Sequence, residues 1–457
     1  MATDIPTGIA QRALDNAHRR KANAAHKSHS QSEIRRQAGQ ARVQEAVGAG
    51  QPTVIRVPIT NTLDGSDYSA TIAVGSQQTP VNVILDTGSS TLGVDPGAYN
   101  GTGDTALVPS AFAQIVTYGT GGWAGPVVNT SVNLGGVLLP SAPVAIASVQ
   151  EQGNFVGVTG ILGLAYYQLN DDYDFSAALS QQGGKASTYP WTLSTTVWAT
   201  AVKQLDRLIR KYQLPQGTLT PYFDELENKG VVANKFAFYV KRSWVSMQTQ
   251  NPQTDPLNQG VFVLGGGEEQ TDLFKGDFVN VAVLDDVYYN TNLKSVRVGT
   301  LPAVAAQPLQ TQYQQDMITN SIVDSGTSDL TLAADVYKAI LDGLAQTNPE
   351  FGQLVQAALK AGQQNLGISA ASLNLPAWPT IYFTLSGENG EDVELSCTPS
   401  TYWQVDFPAQ GQAMFQVSGP LAHANQSILG LPLLNNYYSV FDRSQDSQGV
   451  IRFAPIA

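Results

Sequence analysis

The stretch VILDTGSSTLGV at residues 83–94 decides the fold, because a second version of it, IVDSGTSDLTL, occupies residues 322–332. In each copy an apolar strand leads into Asp, then Ser or Thr, then Gly, then Ser or Thr. Each copy is followed by an apolar run containing ILG, TGILGL at 159–164 and QSILGL at 426–431. One Asp-Thr-Gly turn is common, since Asp often accepts backbone hydrogen bonds in turns. Two copies with the same second element in the same order indicate an internal duplication.

The duplication predicts two similar lobes related by an approximate two-fold axis. Equivalent loops then meet at the axis and bring Asp86 and Asp324 together. Two carboxylates in close contact cannot both be ionised cheaply, so one keeps its proton while the other loses it. The ionised member can draw a proton from a water held between them, while the protonated member polarises a carbonyl group. Asp86 and Asp324 are therefore the candidate catalytic pair.

The residues around each aspartate have predicted supporting roles. The glycine of each triplet has no Cβ, so the backbone can turn sharply and its amides can approach the carboxylates. The residue before each glycine can hydrogen-bond across the axis and lock the loops. The hydroxyl after each glycine can donate to an outer carboxylate oxygen and set which oxygen stays deprotonated. These supporting residues are Thr87, Gly88, Ser89, Ser325, Gly326 and Thr327.

Composition and patterning favour a mostly β protein of enzyme size. The 457 residues are 42% hydrophobic but only 14% charged, and the 42 Gly and 24 Pro favour short strands joined by tight turns. Strand-like runs begin at Val54, and a second such region opens near Lys235. We predict an N-terminal β lobe over residues 51–234 and a C-terminal β lobe over residues 235–457.

One convincing amphipathic helix is predicted between these regions, at roughly residues 195–213. Its apolar side chains recur at helical spacing and form a single stripe. Two interpretations stay open: a helix packed on the body of the protein, or a lid or dimer contact. The stripe consists of Trp198, Val202, Leu205, Ile209 and Tyr212.

The N-terminal arm, residues 1–50, differs in charge from the rest of the chain. It holds eight Lys or Arg against four Asp or Glu, whereas the remainder holds 17 basic and 33 acidic residues. A basic arm could fold back onto an acidic body, or it could be a solvated tail. The acidic body argues against nucleic acid as the main partner.

Cysteine content and the N-terminus bear on compartment. Cys397 is the one cysteine, so no intramolecular disulfide is possible, which fits a reducing compartment. The first residues lack the apolar core of a secretory signal, and no stretch reaches the length of apolar residues that a membrane span needs. We therefore expect a cytoplasmic protein without a membrane segment, with export by a non-classical route left open.

Several motifs resemble the pepsin-like aspartic proteases. The segment YSATIAVGSQQTPVNVILDTGSSTLGV at 68–94 looks like the first hairpin and catalytic loop of that family, and VTYGTGGWAGPVVNTSVNLGG at 116–136 looks like its flap. The segments SILGLPLLNNYYSVFDR at 427–443 and GVIRFAPIA at 449–457 are similar to its C-terminus. The similarity covers roughly residues 54–170 and 219–457, with the motifs in the family's order.

The resemblance implies a bilobal β fold with a long cleft for an extended peptide, and an aspartic endopeptidase that needs no cofactor or metal and works as a monomer. It makes Asp86 and Asp324 the catalytic dyad. It makes Tyr118, Gly119 and Thr120 the flap residues that contact substrate. Flap closure would exclude bulk water and fix the peptide against the dyad. We expect cleavage between bulky apolar residues.

The chain also departs from the family pattern. Gly93 stands where the family usually has a Trp that partners the flap Tyr, so either the flap is freer or Trp123 takes that role. Leu431 stands where the second ILG is commonly followed by Asp. An extra segment, which includes the predicted helix, lies between Tyr167 and Thr220. None of these changes removes a catalytic group.

Three alternatives concern function. Residues 1–50 have the place and charge of a prosegment, which predicts a zymogen in which a basic residue pairs with the dyad until acid releases it. A catalytically silent binding or inhibitory protein would keep the fold, but such relatives usually lose a catalytic Asp. A processing enzyme with one dedicated partner would differ only in specificity.

Metal binding is not expected. Three of the four histidines lie in the basic arm without carboxylates or cysteines in a ligand pattern. The acidic run Asp171, Asp172 and Asp174 lacks the spacing and glycine of a calcium-binding EF-hand loop. A solvated loop is the simpler interpretation of that run.

Overall fold

The computed structural model describes residues 53–61, 68–118, 121–151, 155, 157–181, 186–191, 193, 195, 197–242, 245–246, 251, 254–314, 317–420, 425–444 and 448–457. The predicted arm over residues 1–50, and the prosegment hypothesis with it, lies outside the described residues. The same holds for Gly119 and Thr120 of the predicted flap.

Short strands dominate the described residues, as the period-two apolar pattern predicts. In chain order they are β1 (Ile55–Asn61), β2 (Tyr68–Val74), β3 (Thr79–Asp86), β4 (Leu92–Val94), β5 (Val108–Thr117), β6 (Gly122–Leu134), β7 (Val137–Ile146), β8 (Val149–Gln150), β9 (Gly160–Gly163), β10 (Asp171–Asp174), β11 (Gln216–Thr218), β12 (Lys235–Tyr239), β13 (Gln259–Leu264), β14 (Val279–Ala282), β15 (Asn290–Thr291), β16 (Leu293–Val298), β17 (Val304–Ala305), β18 (Ser321–Val323), β19 (Leu330–Thr331), β20 (Ile368–Ser369), β21 (Ile381–Ser386), β22 (Asp392–Cys397), β23 (Trp403–Val405), β24 (Gln412–Phe415), β25 (Val417–Ser418), β26 (Ser427–Leu429), β27 (Tyr437–Asp442) and β28 (Val450–Pro455). The predicted mostly β class is confirmed.

Helices are fewer than strands among the described residues. They are Ser176–Gln181, Trp198–Tyr212, Tyr222–Asn228, Ala334–Thr347, Pro349–Gly362, Pro399–Tyr402 and Leu431–Leu434, with short 3-10 turns at Tyr167–Leu169, Pro256–Asn258, Thr311–Tyr313, Ala370–Ser372 and Leu375–Ala377. Among the described residues, no helix is long and apolar enough to cross a membrane.

The predicted amphipathic helix is present, and the structure adds two long helices that the sequence analysis did not identify. Where that helix was predicted, at about 195–213, the structure has Trp198–Tyr212, but Ala334–Thr347 and Pro349–Gly362 are almost as long. These two helices bury Val336, Ile340 and further small or apolar residues on one face. Their stripes contain Ala and Gly among the larger apolar residues, which weakens the periodic contrast that sequence analysis depends on.

Each lobe contains the same unit of crossed strands. In the first lobe β3 runs parallel to β9, and β4 pairs with β9 in the antiparallel direction. In the second lobe β18 runs parallel to β26, and β19 returns antiparallel to it. The returning strand then gains a further parallel neighbour, β7 for β4 and β25 for β19. This repetition confirms the predicted bilobal arrangement.

An antiparallel sheet in the order β1, β13, β12, β27, β28 and β14 joins the two lobes. It contains both an early strand and the last two strands of the described chain, so segments from the two ends share one hydrogen-bonded layer. Aromatic rings fill its core: Phe236 stacks on Phe441 at 5.1 Å between ring centroids and meets Phe262 at 5.8 Å. Burying such large rings contributes more than any polar contact to holding the lobes together.

A buried ion pair reinforces this junction behind the first catalytic loop. Arg443 Nη2 lies 2.7 Å from Asp224 Oδ1, and their side chains are 7% and 10% exposed. The guanidinium also lies 4.4 Å from the ring centroid of Tyr166. The carbonyl of Tyr166 in turn accepts the hydroxyl hydrogen bond of Ser90, next to the first triplet. The junction of the lobes therefore supports the loop that carries Asp86.

Candidate active site

Each predicted catalytic aspartate lies where a buried strand ends. Asp86 is the last residue of β3, and Asp324 directly follows β18. Their residues are only 6% and 7% exposed. Because the crossed strands of both lobes have the same pairing, the two strand ends point their loops toward one place between the lobes.

The two loops are fastened to each other by reciprocal hydrogen bonds. The Thr87 N–H donates to Ser325 Oγ at 3.0 Å, and the Ser325 N–H donates to Thr87 Oγ1 at 2.8 Å. Each hydroxyl then donates onward to the opposite lobe, Thr87 to the carbonyl of Val323 at 3.2 Å and Ser325 to that of Leu85 at 2.7 Å. Both residues are fully buried, so no water competes for these bonds. The predicted contact across the axis is thus present in the structure.

The first loop surrounds Asp86 with donors and presses against Asp324. Asp86 Oδ1 accepts the N–H of Gly88 at 2.7 Å, and Oδ2 accepts the hydroxyl of Ser89. A Cβ on Gly88 would lie 2.7 Å from both carboxylate oxygens of Asp324. Only glycine allows so close an approach of backbone to carboxylate.

The second loop repeats this geometry around Asp324. Asp324 Oδ1 accepts the N–H of Gly326 at 2.8 Å, and Oδ2 accepts the hydroxyl of Thr327 at 2.6 Å. A Cβ on Gly326 would overlap the carboxylate of Asp86. All the loop residues predicted to support the pair are therefore found beside the two carboxyl groups.

The electrostatic setting of the pair follows from burial and proximity. Burial and the negative charge of Asp324 raise the pKa of Asp86 well above its usual range, and a hydrogen bond between the two carboxyl groups adds to this. The Ser89 hydroxyl and the Gly88 N–H act in the opposite direction, because they stabilise the carboxylate. The pair therefore tends to retain one proton, which is what combined acid and base chemistry requires.

The ILG run downstream of each copy backs the corresponding loop. A Cβ on Gly163 would lie 2.5 Å from the carbonyl oxygen of Ser89, and one on Gly430 would overlap the carbonyl of Thr327. The N–H of Leu431, the residue that departs from the family pattern, donates to the Thr327 carbonyl at 2.9 Å. Glycine is needed in both runs because the backbones of strand and loop touch.

On the first lobe, Tyr118 directly follows β5 of the flap hairpin and is held by a tryptophan. The indole Nε1 of Trp123, on β6, donates to Tyr118 Oη at 3.1 Å. The same indole covers Gly93 on β4, where an added Cβ would lie 2.9 Å from Trp123 Cζ2. Of the two interpretations of Gly93, the structure therefore favours the one in which Trp123 partners the flap tyrosine. The missing side chain at Gly93 leaves the space that this indole fills.

The inserted helix packs behind the flap hairpin formed by β5 and β6. Its buried Leu205 belongs to an apolar cluster with Ala113 of β5 and Ala124 of β6. Next to the turn of the flap hairpin, where Gly122 pairs with Thr117, a Cβ on Gly122 would lie 2.7 Å from Cζ2 of Trp198, the first residue of the helix. The interpretation of a helix packed on the body therefore fits the structure. It covers the hairpin face opposite the cluster that contains Trp123.

Sequence reasoning missed Asn170, which joins three parts of the first lobe. Its Oδ1 accepts the Thr91 hydroxyl at 3.0 Å and the Gln114 amide at 2.8 Å, and its Nδ2 donates to the Leu219 carbonyl at 3.1 Å. It thereby ties the first catalytic loop to the flap strand β5 and to the end of the insertion. No local signal marks a single Asn as such a link.

In the part of the chain that the structure describes, the acidic and thiol groups outside the dyad form no metal site. Among the described residues, no group of His, Cys, Asp and Glu is arranged to hold a metal ion. Burial raises the pKa of Asp172 to about 6, with a smaller effect from the charge of Asp174. Cys397 is fully buried, and burial raises the pKa of its thiol to about 12, so it is a packing residue rather than a nucleophile.

Comparison with known proteins agrees with this geometry. The family model described as "Eukaryotic aspartyl protease" matches residues 67–184 and 211–455. The chain therefore belongs to the pepsin-like aspartic protease family, a family of peptide-bond hydrolases. The unmatched residues 185–210 contain most of the inserted helix, so the insertion is an addition to the family's common fold.

Curated relatives lie at low identity but cover most of the chain. Pepsin A of Sus scrofa is 24% identical over 415 residues, which is 88% of this chain and 84% of the relative. Cathepsin D of Chionodraco hamatus is 24% identical over 418 residues, covering 86% and 82%. Cathepsin E of Aquarana catesbeiana is 25% identical over 428 residues, covering 89% and 83%.

Proposed function

We propose that this protein is an aspartic endopeptidase that hydrolyses internal bonds of extended polypeptides with Asp86 and Asp324. The observation that carries the proposal is the reciprocal contact between Thr87 and Ser325, which holds two buried carboxyl groups against each other. A fold kept only for binding would need neither this contact nor donors on both carboxylates. Family membership supports the same class of reaction.

The proposed mechanism uses the pair as one acid–base unit. The ionised carboxylate removes a proton from a water held between Asp86 and Asp324, and the resulting hydroxide attacks the scissile carbonyl carbon. The protonated carboxyl hydrogen-bonds to the carbonyl oxygen and stabilises the charge that develops there. When the C–N bond breaks, a proton passes to the leaving nitrogen. Ser89 and Thr327 hold the carboxylates in orientation throughout.

Substrate contacts are the next part of the proposal. Tyr118 closes over the peptide from the flap with Trp123 behind it, while Gly326 and Thr327 hydrogen-bond the peptide backbone from the other side. Gly119 and Thr120 remain predictions as flap contacts. We further propose that the enzyme acts as a monomer and that residues 51–234 and 235–457 are its two lobes. The cytoplasmic location also stays a prediction.

The test is cleavage of a denatured protein from pH 3 to 7 by the wild type and by Asp86→Asn and Asp324→Asn. We expect activity in the wild type and a fall by a factor of at least about 10³ in each variant, since both carboxyls act in one step. Melting temperatures of the three proteins control for misfolding. Full deletion of residues 2–50 tests the prosegment hypothesis in the same assay.

Two results would contradict the proposal. Equal activity in all three proteins would assign the cleavage to another site or to a contaminant. No activity in any form, with or without residues 2–50, would favour the catalytically silent binding protein.

A further inference from the structure

The second catalytic loop carries a carboxylate that the first loop lacks. In the aligned copies DTGSSTL and DSGTSDL, Asp329 occupies the place that Thr91 has in the first lobe. Thr91 is buried and donates its hydroxyl to Asn170 at 3.0 Å. The catalytic mechanism gives Asp329 no task. A charged group at a position where the symmetric partner is neutral therefore needs its own explanation.

The strand that follows Asp329 lies beside β25. Leu330, the next residue, is fully buried in the core and pairs with Leu429 of β26. Asp329 directly precedes this strand, and Thr331, on the face of the strand opposite Leu330, is buried at 6% exposure. Ser418 of β25 marks that face, since its hydroxyl lies 3.2 Å from Thr331 Oγ1 and also hydrogen-bonds Asp329.

Asp329 is close to the dyad. Thr327, which hydrogen-bonds Asp324, precedes it by two residues, a span of at most about 7 Å. No Lys or Arg of the described residues contributes to its environment, where Ser418 is the hydrogen-bonding neighbour. The residue is half-buried, and burial raises the pKa of its carboxyl to about 6. A partly desolvated carboxylate without a counter-ion is unfavourable until a cation joins it.

We propose that Asp329 is a specificity-determining residue whose carboxylate binds a Lys or Arg side chain of the substrate on the C-terminal-lobe wall of the cleft. This inference rests on the proposed endopeptidase function and adds a charged contact to the expected cleavage between bulky apolar residues. A peptide held at the dyad passes within reach of Asp329, and a cation there gains a charge-assisted hydrogen bond in a partly dry site. On the first lobe the corresponding residue, Thr91, carries no charge and would not favour a Lys or Arg of the substrate.

The test uses peptides that differ at one position at a time, with Lys in one member of each pair and norleucine, its uncharged analogue, in the other. Asp329→Thr is the matched variant, because it installs the residue of the first loop. We expect the wild type to prefer Lys at one position by about tenfold in kcat/KM, mainly through KM, and Asp329→Thr to lose that preference. Asp342→Asn, which removes an exposed charge from the same lobe, should keep it.

An unchanged Lys-to-norleucine ratio at every position in Asp329→Thr would overturn the inference while leaving the proposed function intact. If Asp86→Asn loses all cleavage, and the Lys-to-norleucine ratio falls between the wild type and Asp329→Thr, the proposed function and the inference are both supported. If the wild type cleaves no peptide, the proposed function fails separately. Affinities of the same peptide pairs for Asp86→Asn and for the Asp86→Asn, Asp329→Thr double variant then decide the inference without turnover.

Discussion

The two catalytic loops have nearly identical hydrogen bonds around their carboxylates, but the residues that follow the loops differ. Within each loop, one carboxylate accepts a backbone N–H and a hydroxyl, and the glycine of the other loop lies against it. Outside, the first loop leads to Gly93 beneath the Trp123 indole, whereas the second leads to Asp329 beside Ser418. The comparison suggests that symmetry serves the chemistry of the bond, and that the unequal neighbours serve recognition of the peptide.

Apart from substitution of the two aspartates, the largest expected effect comes from breaking the contact that makes the loops equivalent. Thr87→Val removes the oxygen that accepts the Ser325 N–H. Because both residues are fully buried, water cannot replace the lost acceptor. A buried unsatisfied donor costs about 1–3 kcal/mol in the free energy of unfolding. Because the dyad geometry depends on this contact, we expect kcat to fall on the order of 10²-fold. Urea unfolding and steady-state kinetics on one peptide measure both effects.

Thr87→Ser is the matched control, because the second loop already uses Ser at the corresponding position, Ser325. It keeps the hydroxyl and loses only a methyl group, so activity should stay close to that of the wild type. If Thr87→Val retained full activity, the reciprocal hydrogen bonds would not be what positions the dyad.

A second, smaller effect should appear where the loops differ most, at Gly93. In Gly93→Ala the new methyl group would lie 2.9 Å from Trp123 Cζ2, so the indole must move and its hydrogen bond to Tyr118 lengthens. Overpacking of this kind costs about 1–3 kcal/mol in stability. We expect kcat/KM to fall about tenfold, mainly through KM, as for the loss of one good hydrogen bond.

The interaction between the two positions sharpens this prediction. Trp123→Phe alone removes the donor to Tyr118, but in the double variant the smaller ring also makes room for Ala at position 93. The double variant should therefore be less destabilised than the sum of the single variants. Gly362→Ala, whose methyl group would meet only Met414 Cε at 3.9 Å, controls for the substitution itself. Strict additivity would mean that the indole does not occupy the space above Gly93.

Most of the features that the two lobes share could be predicted from the sequence. A duplicated motif carries its own internal check, so Asp86, Asp324 and their loop neighbours could be proposed with the roles that the hydrogen bonds now support. What is asymmetric was harder to predict, because it depends on contacts between distant segments. Whether Trp123 replaces the missing Trp could not be decided without knowing that β4 and β6 place Gly93 under its ring.

Asp329 shows a different limit of sequence analysis. The signal was present, since an Asp in one copy of the motif aligns with a Thr in the other. An Asp in a loop, however, is ordinarily interpreted as a solvated residue. Its environment became informative only with the pairing of β19 and β25, which puts Ser418 beside it. The helices at 334–347 and 349–362 were missed for another reason, their weak apolar contrast.

The smallest expected effect concerns the pH profile, and it isolates the contribution of the Ser89 hydroxyl to Asp86. The Ser89 hydroxyl stabilises the Asp86 carboxylate, so it lowers a pKa that burial and Asp324 raise. Ser89→Ala removes this donor, so the pKa of Asp86 rises further and the pair keeps its shared proton to higher pH. The alkaline limb of the bell-shaped profile of kcat/KM should therefore move to higher pH. Thr91→Val deletes a hydroxyl of the same loop that bonds Asn170 instead, and it should leave this limb in place. A shift toward lower pH in Ser89→Ala, or an equal shift in both variants, would mean that the limb reports another group and that Ser89 does not tune the dyad.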